Sequence, residues 1–143
     1  MAVPSSDRLH ATTVAIDGVA VLIEGASGSG KSDLALRLID RGAILVSDDQ
    51  TLVVRSGKAL LARAPATIAG RIEVRGIGIL AMPHADAVPV GLLVRVDGAI
   101  ERMPERRVRR IAGIEIRQFA VDPFHASAPI KVELALRNPE PVE

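Results

Sequence analysis

A glycine-rich segment that ends in lysine and serine has the residue types and the spacing needed for phosphate chemistry. It reads GASGSGKS and satisfies the pattern G-x-x-x-x-G-K-[ST] at every fixed position. Glycines let consecutive backbone N–H groups turn toward one anion, and the N-terminus of a following helix adds partial positive charge. In loops of this kind the lysine neutralises the β- and γ-phosphates and the serine hydroxyl binds Mg²⁺. The predicted nucleotide-binding residues are Gly25, Ala26, Ser27, Gly28, Ser29, Gly30, Lys31 and Ser32. The alternative is a structural turn with an incidental lysine.

Two adjacent acids, Asp48 and Asp49, end a short apolar run. P-loop proteins keep a carboxylate at such a position, either to hold Mg²⁺ or to orient the nucleophile. Neighbouring residues on a strand point to opposite faces, so the two acids are expected to have different roles. The alternative for one of them is that it only caps the following turn.

The segments around the loop predict a strand before it and a helix after it. Alternation in 11–16, the pair Asp17-Gly18 and the apolar run 19–23 indicate a hairpin whose second strand is buried. Apolar residues then recur at helical spacing over 31–41, and Gly42 follows at the position of a left-handed cap. Further strands are predicted at 43–46, 51–54, 59–62, 90–96 and 114–121.

A final helix is predicted from the pair Asp122-Pro123, as N-cap and first helical residue, to about Arg137. Pro129 is the weak point of this prediction, because proline inside a helix removes a hydrogen bond. The mixture of hairpins and crossovers indicates a mixed sheet in an α/β fold. No repeat or linker divides the sequence, so we expect one domain over residues 1–143.

Composition excludes several classes of function. The chain of 143 residues has a net charge of +1, 1% aromatic residues and no cysteine. The balanced charge and the lack of aromatic platforms argue against nucleic-acid binding. Without cysteine there are no disulfides, thiolate metal sites or cysteine nucleophiles. The N-terminus lacks a signal-peptide pattern and no apolar run is long enough to span a membrane, so we expect a cytoplasmic protein.

Five arginines form the strongly basic stretch of the sequence: Arg102, Arg106, Arg107, Arg109 and Arg110. A solvated helix or loop face, balanced by Glu101 and Glu105, is one interpretation. A docking surface for an acidic or phosphorylated protein is the second, because arginine pairs well with phosphate. A lid of a small-molecule kinase is a further possibility, and nucleic-acid binding is the least favoured.

Four segments taken together resemble one known family. They are His10, the GASGSGKS loop, the LVSDD run that ends at Asp49, and the segment EVRGIGI that begins at Glu73. The last is similar to the E-I-R-G-L-G-I signature of the catalytic domain of bacterial HPr kinase/phosphorylase, which P-loop proteins in general lack. The resemblance covers about Leu9 to Arg102. It is strongest to the short versions known from alphaproteobacteria, which lack an N-terminal domain.

The resemblance implies both a fold and an activity. The fold would be a P-loop domain with a mixed sheet, similar to the nucleotide-binding part of phosphoenolpyruvate carboxykinase. The family uses ATP and Mg²⁺ to phosphorylate a serine of HPr, a small phosphocarrier protein of the bacterial phosphotransferase system. It also removes that phosphate by phosphorolysis, releasing pyrophosphate, and it forms ring-like hexamers.

The resemblance also implies residue roles by position. The catalytic residues would be His10, Lys31, Asp48, Asp49 and Arg102, and the Mg²⁺ ligands would be Ser32 and Glu73. Asp49 would take the proton from the serine hydroxyl, with Asp48 as its neighbour. Taken alone, His10 could be a polar residue at a strand start, and Glu73 could form a cross-strand pair with Arg75.

One family segment is missing from this sequence. The family's P-V-R-P-G-R-N stretch, implicated in the phosphorylase direction, is replaced here by 116–124. Kinase activity is therefore expected, with weak or absent phosphorylase activity. A small-molecule P-loop kinase and a nucleotide-binding regulator without transferase activity are the alternative functions.

Overall fold

The computed structural model describes residues 5–139, which form eleven strands and two helices. The first elements are β1 (Ser6–Leu9), β2 (Ala11–Ile16), β3 (Val19–Glu24), α1 (Lys31–Asp40), β4 (Ile44–Ser47), β5 (Thr51–Ser56) and β6 (Ala59–Arg63). The remaining elements are β7 (Arg71–Val74), β8 (Gly78–Ala81), β9 (Val88–Arg95), β10 (Arg107–Ile111), β11 (Ile114–Ala120) and α2 (Ala128–Arg137). The predicted α/β fold with a mixed sheet is confirmed.

Strand β3 lies inside a nine-stranded sheet and leads directly into the glycine-rich segment 25–32, which we call the phosphate loop. The order across the sheet is β1-β5-β6-β9-β3-β2-β4, and β11 also pairs with β9 and carries β10 on its other side. Strand β3 is parallel to β9, and β9 is parallel to β11. Because β2 is antiparallel to both β3 and β4, β4 runs in the same direction as β3. The strands β3, β4, β9 and β11 therefore end at one edge of the sheet, where ligands of α/β folds bind.

Both faces of the central strands are covered, which explains why β3 is continuously apolar. Alternate residues such as Val21 and Ile23 face a core formed with α1 and α2. Ala20 and Leu22 face a second core, in which β5, β6, β10 and β11 pack because the sheet curls over. A strand that is buried on both faces needs no polar alternation.

Helix α1 agrees with its prediction at both ends. It begins at Lys31, and the chain turns out of the helix at Gly42, whose φ is +112°. Leu34 and Leu38 are completely buried, so the periodic apolar residues hold the helix against the sheet. The phosphate loop is therefore fixed between a buried strand and a buried helix.

Helix α2 begins later than predicted. Its first residue is Ala128 and Ser127 is the N-cap, so Asp122-Pro123 does not start a helix. Pro129 occupies the first turn, where its missing N–H costs nothing, whereas a helix from Asp122 would have placed it in the interior. The predicted end at Arg137 is correct.

Two expectations about charged residues are also corrected. Part of the basic stretch is strand β10, paired with β11, and not a helix or loop face. In the β7–β8 hairpin the partner of Glu73 is Ile79, and Arg75 lies beyond β7, so the two residues do not form a cross-strand pair. Neither described helix is long and apolar enough to cross a membrane.

Candidate functional site

The phosphate loop presents an ammonium group and an unpaired hydroxyl. Lys31 is only 5% exposed, and its Nζ donates to the carbonyl oxygens of Gly25 at 2.7 Å and Ala26 at 3.3 Å. The Ser29 hydroxyl is buried and has no hydrogen-bond partner within the described part of the chain. Buried polar groups are normally satisfied, so an orphaned hydroxyl indicates a place for a ligand atom. A phosphate chain would supply both an anion for Lys31 and an acceptor for Ser29.

Asp48 is a buried carboxylate whose hydrogen-bond donors within the described residues are all neutral. It is 9% exposed; Oδ1 accepts from Ser32 Oγ at 2.7 Å and from Thr12 Oγ1 at 3.1 Å, and Oδ2 accepts from the Glu73 N–H at 3.0 Å. No ion pair with a cationic side chain is found for it within residues 5–139. A buried carboxylate is costly unless a cation compensates its charge. The hard oxygen ligands around it are those that Mg²⁺ prefers, so the residues present fit a Mg²⁺ ion.

Asp49 faces a different set of partners from Asp48. Its Oδ1 lies 2.6 Å from His10 Nε2, and both side chains are accessible to solvent. Its backbone N–H donates to Thr12 Oγ1 at 3.1 Å, and its φ of +64° turns the chain out of the β4 direction. Thr12 thus contacts both acids while they point apart. We call Thr12, His10, Asp48 and Asp49 the acid flank of the phosphate loop.

Two residues that the family resemblance assigns to the site, Glu73 and Arg102, are less closely connected to the acid flank. Glu73 touches the acid flank through its backbone N–H, while its side chain is exposed. Arg102 lies in the exposed segment after β9 and makes no hydrogen bond or ion pair with the other site residues described in 5–139. No group of three or more His, Asp or Glu side chains in that range forms a metal cage. A Mg²⁺ ion would therefore use Ser32, Asp48 and Glu73 together with phosphate and water oxygens, as is usual for this ion.

A second set of charged residues on the other side of the loop was not anticipated from the sequence. Glu24 accepts two hydrogen bonds from Arg109, at 2.5 and 2.8 Å, and one from Arg95 at 2.9 Å. Arg95 also donates to Asp97 at 2.8 Å, and Asp97 accepts from the backbone N–H of Ala26 at 3.0 Å. We call Glu24, Arg95, Asp97 and Arg109 the arginine flank.

The arginine flank balances its charges internally. The hydrogen bond from the Arg95 guanidinium, followed by the Ala26 N–H, lowers the pKa of the Asp97 carboxyl. The hydrogen bond to Asp97 in turn raises the pKa of Arg95. Through Ala26 this network anchors the first turn of the phosphate loop. The sequence contained one signal of it, Arg95 and Asp97 alternating at the end of a predicted strand, but it did not reveal which strands lie next to each other.

The remaining two histidines lie at exposed positions outside the acid flank. His84 and His125 are exposed, and His84 packs against Gly70. His125 lies 3.3 Å from Asp122, in the turn after β11. Of the basic stretch, Arg109 is engaged by Glu24 and Arg107 by Glu101.

Comparisons with known proteins agree with this geometry. Residues 2–85 match the model of the HPr Serine kinase C-terminal domain. The HPr kinase/phosphorylase of Mycoplasmopsis pulmonis is 42% identical over 73 residues, which are 51% of this chain and 24% of that protein. That of Clostridium tetani is 39% identical over 93 residues, 65% of this chain and 30% of that protein. The chain thus spans about a quarter to a third of the length of these curated relatives.

A solved structure extends the likeness beyond the family match. The structure of the Hpr(Ser) kinase/phosphatase from Coxiella burnetii superimposes with a TM-score of 0.81 and 28% sequence identity. The superposition covers 92% of this chain and 95% of that one. The family resemblance seen in the sequence is therefore confirmed, and the chain belongs to the HPr serine kinase C-terminal domain family.

Proposed function

We propose that this chain is an ATP- and Mg²⁺-dependent protein-serine kinase that phosphorylates an HPr-type phosphocarrier. The observation that carries the proposal is the separation of the two acids. Asp48 faces Ser32 of the phosphate loop, while Asp49 faces solvent beside His10. One carboxylate is thus available to a metal ion and the other to an incoming hydroxyl. Relatives in this family are named HPr kinase/phosphorylase, which supports HPr as the class of protein substrate.

The residues provide what phosphoryl transfer requires. Lys31 holds the phosphate chain, and Ser32, Asp48 and Glu73 would hold Mg²⁺, which neutralises charge on the phosphates when it is bound. The serine oxygen of the carrier forms a bond to the γ-phosphorus while the bond to the β,γ-bridging oxygen breaks and ADP leaves. Asp49 takes the serine proton, and His10 orients its carboxylate through the 2.6 Å contact. Alignment and charge neutralisation account for most of the catalysis in such reactions.

Transfer of label from radioactive ATP tests the proposal directly. The protein is incubated with Mg²⁺, labelled ATP and a purified HPr-type carrier, and we expect label on a serine of the carrier. A carrier with that serine replaced by alanine is the matched control and should stay unlabelled. Label on a small molecule would instead identify a metabolite kinase. No transfer at all, with nucleotide still bound, would indicate a nucleotide-binding regulator.

The reverse reaction is expected to be weak. The stretch 116–124 replaces the P-V-R-P-G-R-N segment, so the residues that the family uses for phosphorolysis are missing here. The assay incubates serine-phosphorylated carrier with the protein, Mg²⁺ and millimolar phosphate, and measures pyrophosphate. Pyrophosphate released as fast as the kinase step would contradict this expectation. It would show that the residues from His10 to Arg102 catalyse both directions.

We further propose a cytoplasmic homo-oligomer, with a hexamer as the number implied by the family resemblance. The β7–β8 hairpin supports assembly, because Ile77 and Ile79 are 71% and 70% exposed. Large exposed apolar side chains that lie close together are typical of protein interfaces. Sedimentation analysis of the protein and of Ile77→Ser would test this, since the variant should dissociate.

A further inference from the structure

Phe124 is an exposed aromatic side chain next to the phosphate loop. It is 73% exposed, and it is one of only two aromatic residues in the chain. The other, Phe119, is partly buried and packs against the core beneath the helices. An isolated exposed apolar residue needs no explanation by itself. The position of Phe124 and the way its turn is held are what single it out.

The turn that carries Phe124 is fixed on both sides. Asp122 Oδ1 accepts the Phe124 N–H at 2.9 Å. Arg37 of α1 donates to the carbonyl oxygen of Pro123 and, at 3.1 Å, to that of His125. Since α1 begins in the phosphate loop, these bonds tie the turn to the same helix. The backbone that carries the exposed ring is therefore held in one place relative to the loop.

Phe124 also lies in direct proximity to the loop itself. A Cβ built on Gly30 would lie 3.1 Å from Pro123 Cγ and 3.4 Å from Phe124 Cε1. Gly30 immediately precedes Lys31 and has a φ of +99°. The ring thus borders the part of the loop where the α- and β-phosphates of a nucleotide are cradled.

The sheet order determines which end of a nucleotide reaches this ring. The γ-phosphate end lies toward Asp48 and Asp49, because these acids follow β4 on one side of β3. Strands β9 and β11 lie on the opposite side of β3, and the turn with Phe124 follows β11. All these strands end at the same edge, so a nucleotide lying along the edge directs its nucleoside toward β9 and β11.

We infer that Phe124 is the platform on which the nucleobase of the bound nucleotide stacks. The inference rests on the proposed function in taking as given that a nucleotide binds at the phosphate loop with its γ-phosphate end beside Asp48 and Asp49. Base–aromatic stacking tolerates every base, because each base has a π-face. ATP and GTP should therefore depend on Phe124 alike, whereas tripolyphosphate, which has no base, should not depend on it.

The test compares ATP with tripolyphosphate on the full chain. Dissociation constants are measured by calorimetry with Mg²⁺ for the wild type, Phe124→Ala and Leu134→Ala. Leu134 is the matched control, an apolar residue of α2 that is 53% exposed. Phe124→Ala should bind ATP roughly tenfold more weakly, in line with the loss of one stacked base, and should bind tripolyphosphate as the wild type does. Leu134→Ala should change neither constant.

A tryptophan at the same position gives a second readout. The chain has no Trp or Tyr, so Phe124→Trp introduces a single reporter. Its affinity for ATP should be retained, and its emission should change on adding ATP but not on adding tripolyphosphate. An equal loss of both ligands in Phe124→Ala would overturn the inference, because the phosphate loop itself would then be affected. Unchanged ATP binding would also overturn it. A change in oligomeric mass in the same variant would then assign the ring to a protein interface.

Failure of the inference and failure of the proposed function are distinguishable. If Phe124→Ala loses ATP affinity selectively while the wild type transfers no phosphate to a carrier, the nucleobase platform stands and the kinase proposal fails. If the wild type transfers phosphate but binds ATP no more tightly than tripolyphosphate, the kinase proposal stands and the platform is overturned.

Discussion

The two flanks of the phosphate loop carry carboxylates in opposite electrostatic situations. On the arginine flank, Glu24 and Asp97 are matched by the guanidinium groups of Arg95 and Arg109. On the acid flank, buried Asp48 receives only hydroxyl and backbone N–H donors. Neutralised carboxylates hold a structure together, whereas an uncompensated one is available to a ligand cation. The acid flank is thus the side where the proposed metal ion and carrier would meet the loop, and the arginine flank contacts the loop at Ala26.

The largest effect is expected at Asp49. Replacing it by asparagine removes the proton acceptor, so transfer to the carrier should fall by about 10²–10⁴-fold, the usual contribution of a general base. ATP affinity should be unchanged, because the side chain contacts His10 and no loop residue within the described chain. Initial rates with labelled ATP, together with an ATP titration, measure both quantities.

Asp48→Asn is the matched variant for this comparison. Asparagine removes the negative charge beside Ser32 that would hold the metal ion, so Mg²⁺-dependent ATP binding should weaken together with transfer. Near-normal transfer in Asp49→Asn, with transfer lost and binding kept in Asp48→Asn, would reverse the two roles.

The next effect concerns the support provided by the arginine flank. Arg109 and Arg107 lie on the same strand, but Arg109 is half as exposed and pairs with Glu24, while Arg107 pairs with Glu101 in solvent. Arg109→Met should lower the free energy of unfolding by about 2–3 kcal/mol, because it strips a partly buried carboxylate of a partner. Arg107→Met should cost less than about 1 kcal/mol. Urea denaturation of both variants would measure the difference, and equal costs would show that the flank is not structural.

A smaller effect is expected at Thr12, which joins the two acids. Thr12→Val keeps the shape but removes a donor to Asp48 and the acceptor of the Asp49 N–H. We expect a loss of about 1–2 kcal/mol in the free energy of unfolding, since the buried Asp48 carboxylate would lose a donor and the half-buried Asp49 N–H its acceptor. Thr12→Ser retains the hydroxyl and should recover most of the loss. If Thr12→Val, which keeps the methyl group and loses only the hydroxyl, were as stable as the wild type, the hydroxyl would make no net contribution to stability.

The smallest effect is a pH dependence at Asp97. Its pKa is lowered in the folded protein, chiefly by the hydrogen bond from Arg95. A carboxyl with a lowered folded pKa stabilises the fold above its unfolded pKa, near 4, and this contribution is lost as the pH falls through the folded value. Wild type and Asp97→Asn should therefore differ in melting temperature at pH 6, and the difference should shrink as the pH falls below the unfolded pKa. A constant difference down to low pH would contradict an electrostatic origin.

Prediction from the sequence was most accurate where the apolar periodicity and the phosphate-loop motif indicated the same element. The strand before the loop, the helix from Lys31 and the turn at Gly42 followed from periodicity, the glycine positions and the motif. Prediction was wrong at the start of α2, because an Asp-Pro pair signals both a helix N-terminus and a turn. The turn is favoured because Pro123 packs against Gly30 and Arg37 donates hydrogen bonds to backbone carbonyls of the turn. Neither contact is local in sequence.

The sequence alone was enough to predict the phosphate loop, the adjacent acids and the family resemblance, because each depends on residues that are close together in the chain. The residues that could bind a nucleotide could thus be named in advance. The strands that lie beside β3 could be identified only from the tertiary structure. That order brings Arg109 to Glu24, separates the partners of Asp48 from those of Asp49, and places Phe124 beside Gly30. Such long-range pairings depend on how the sheet curls around two cores, and no local periodicity encodes that.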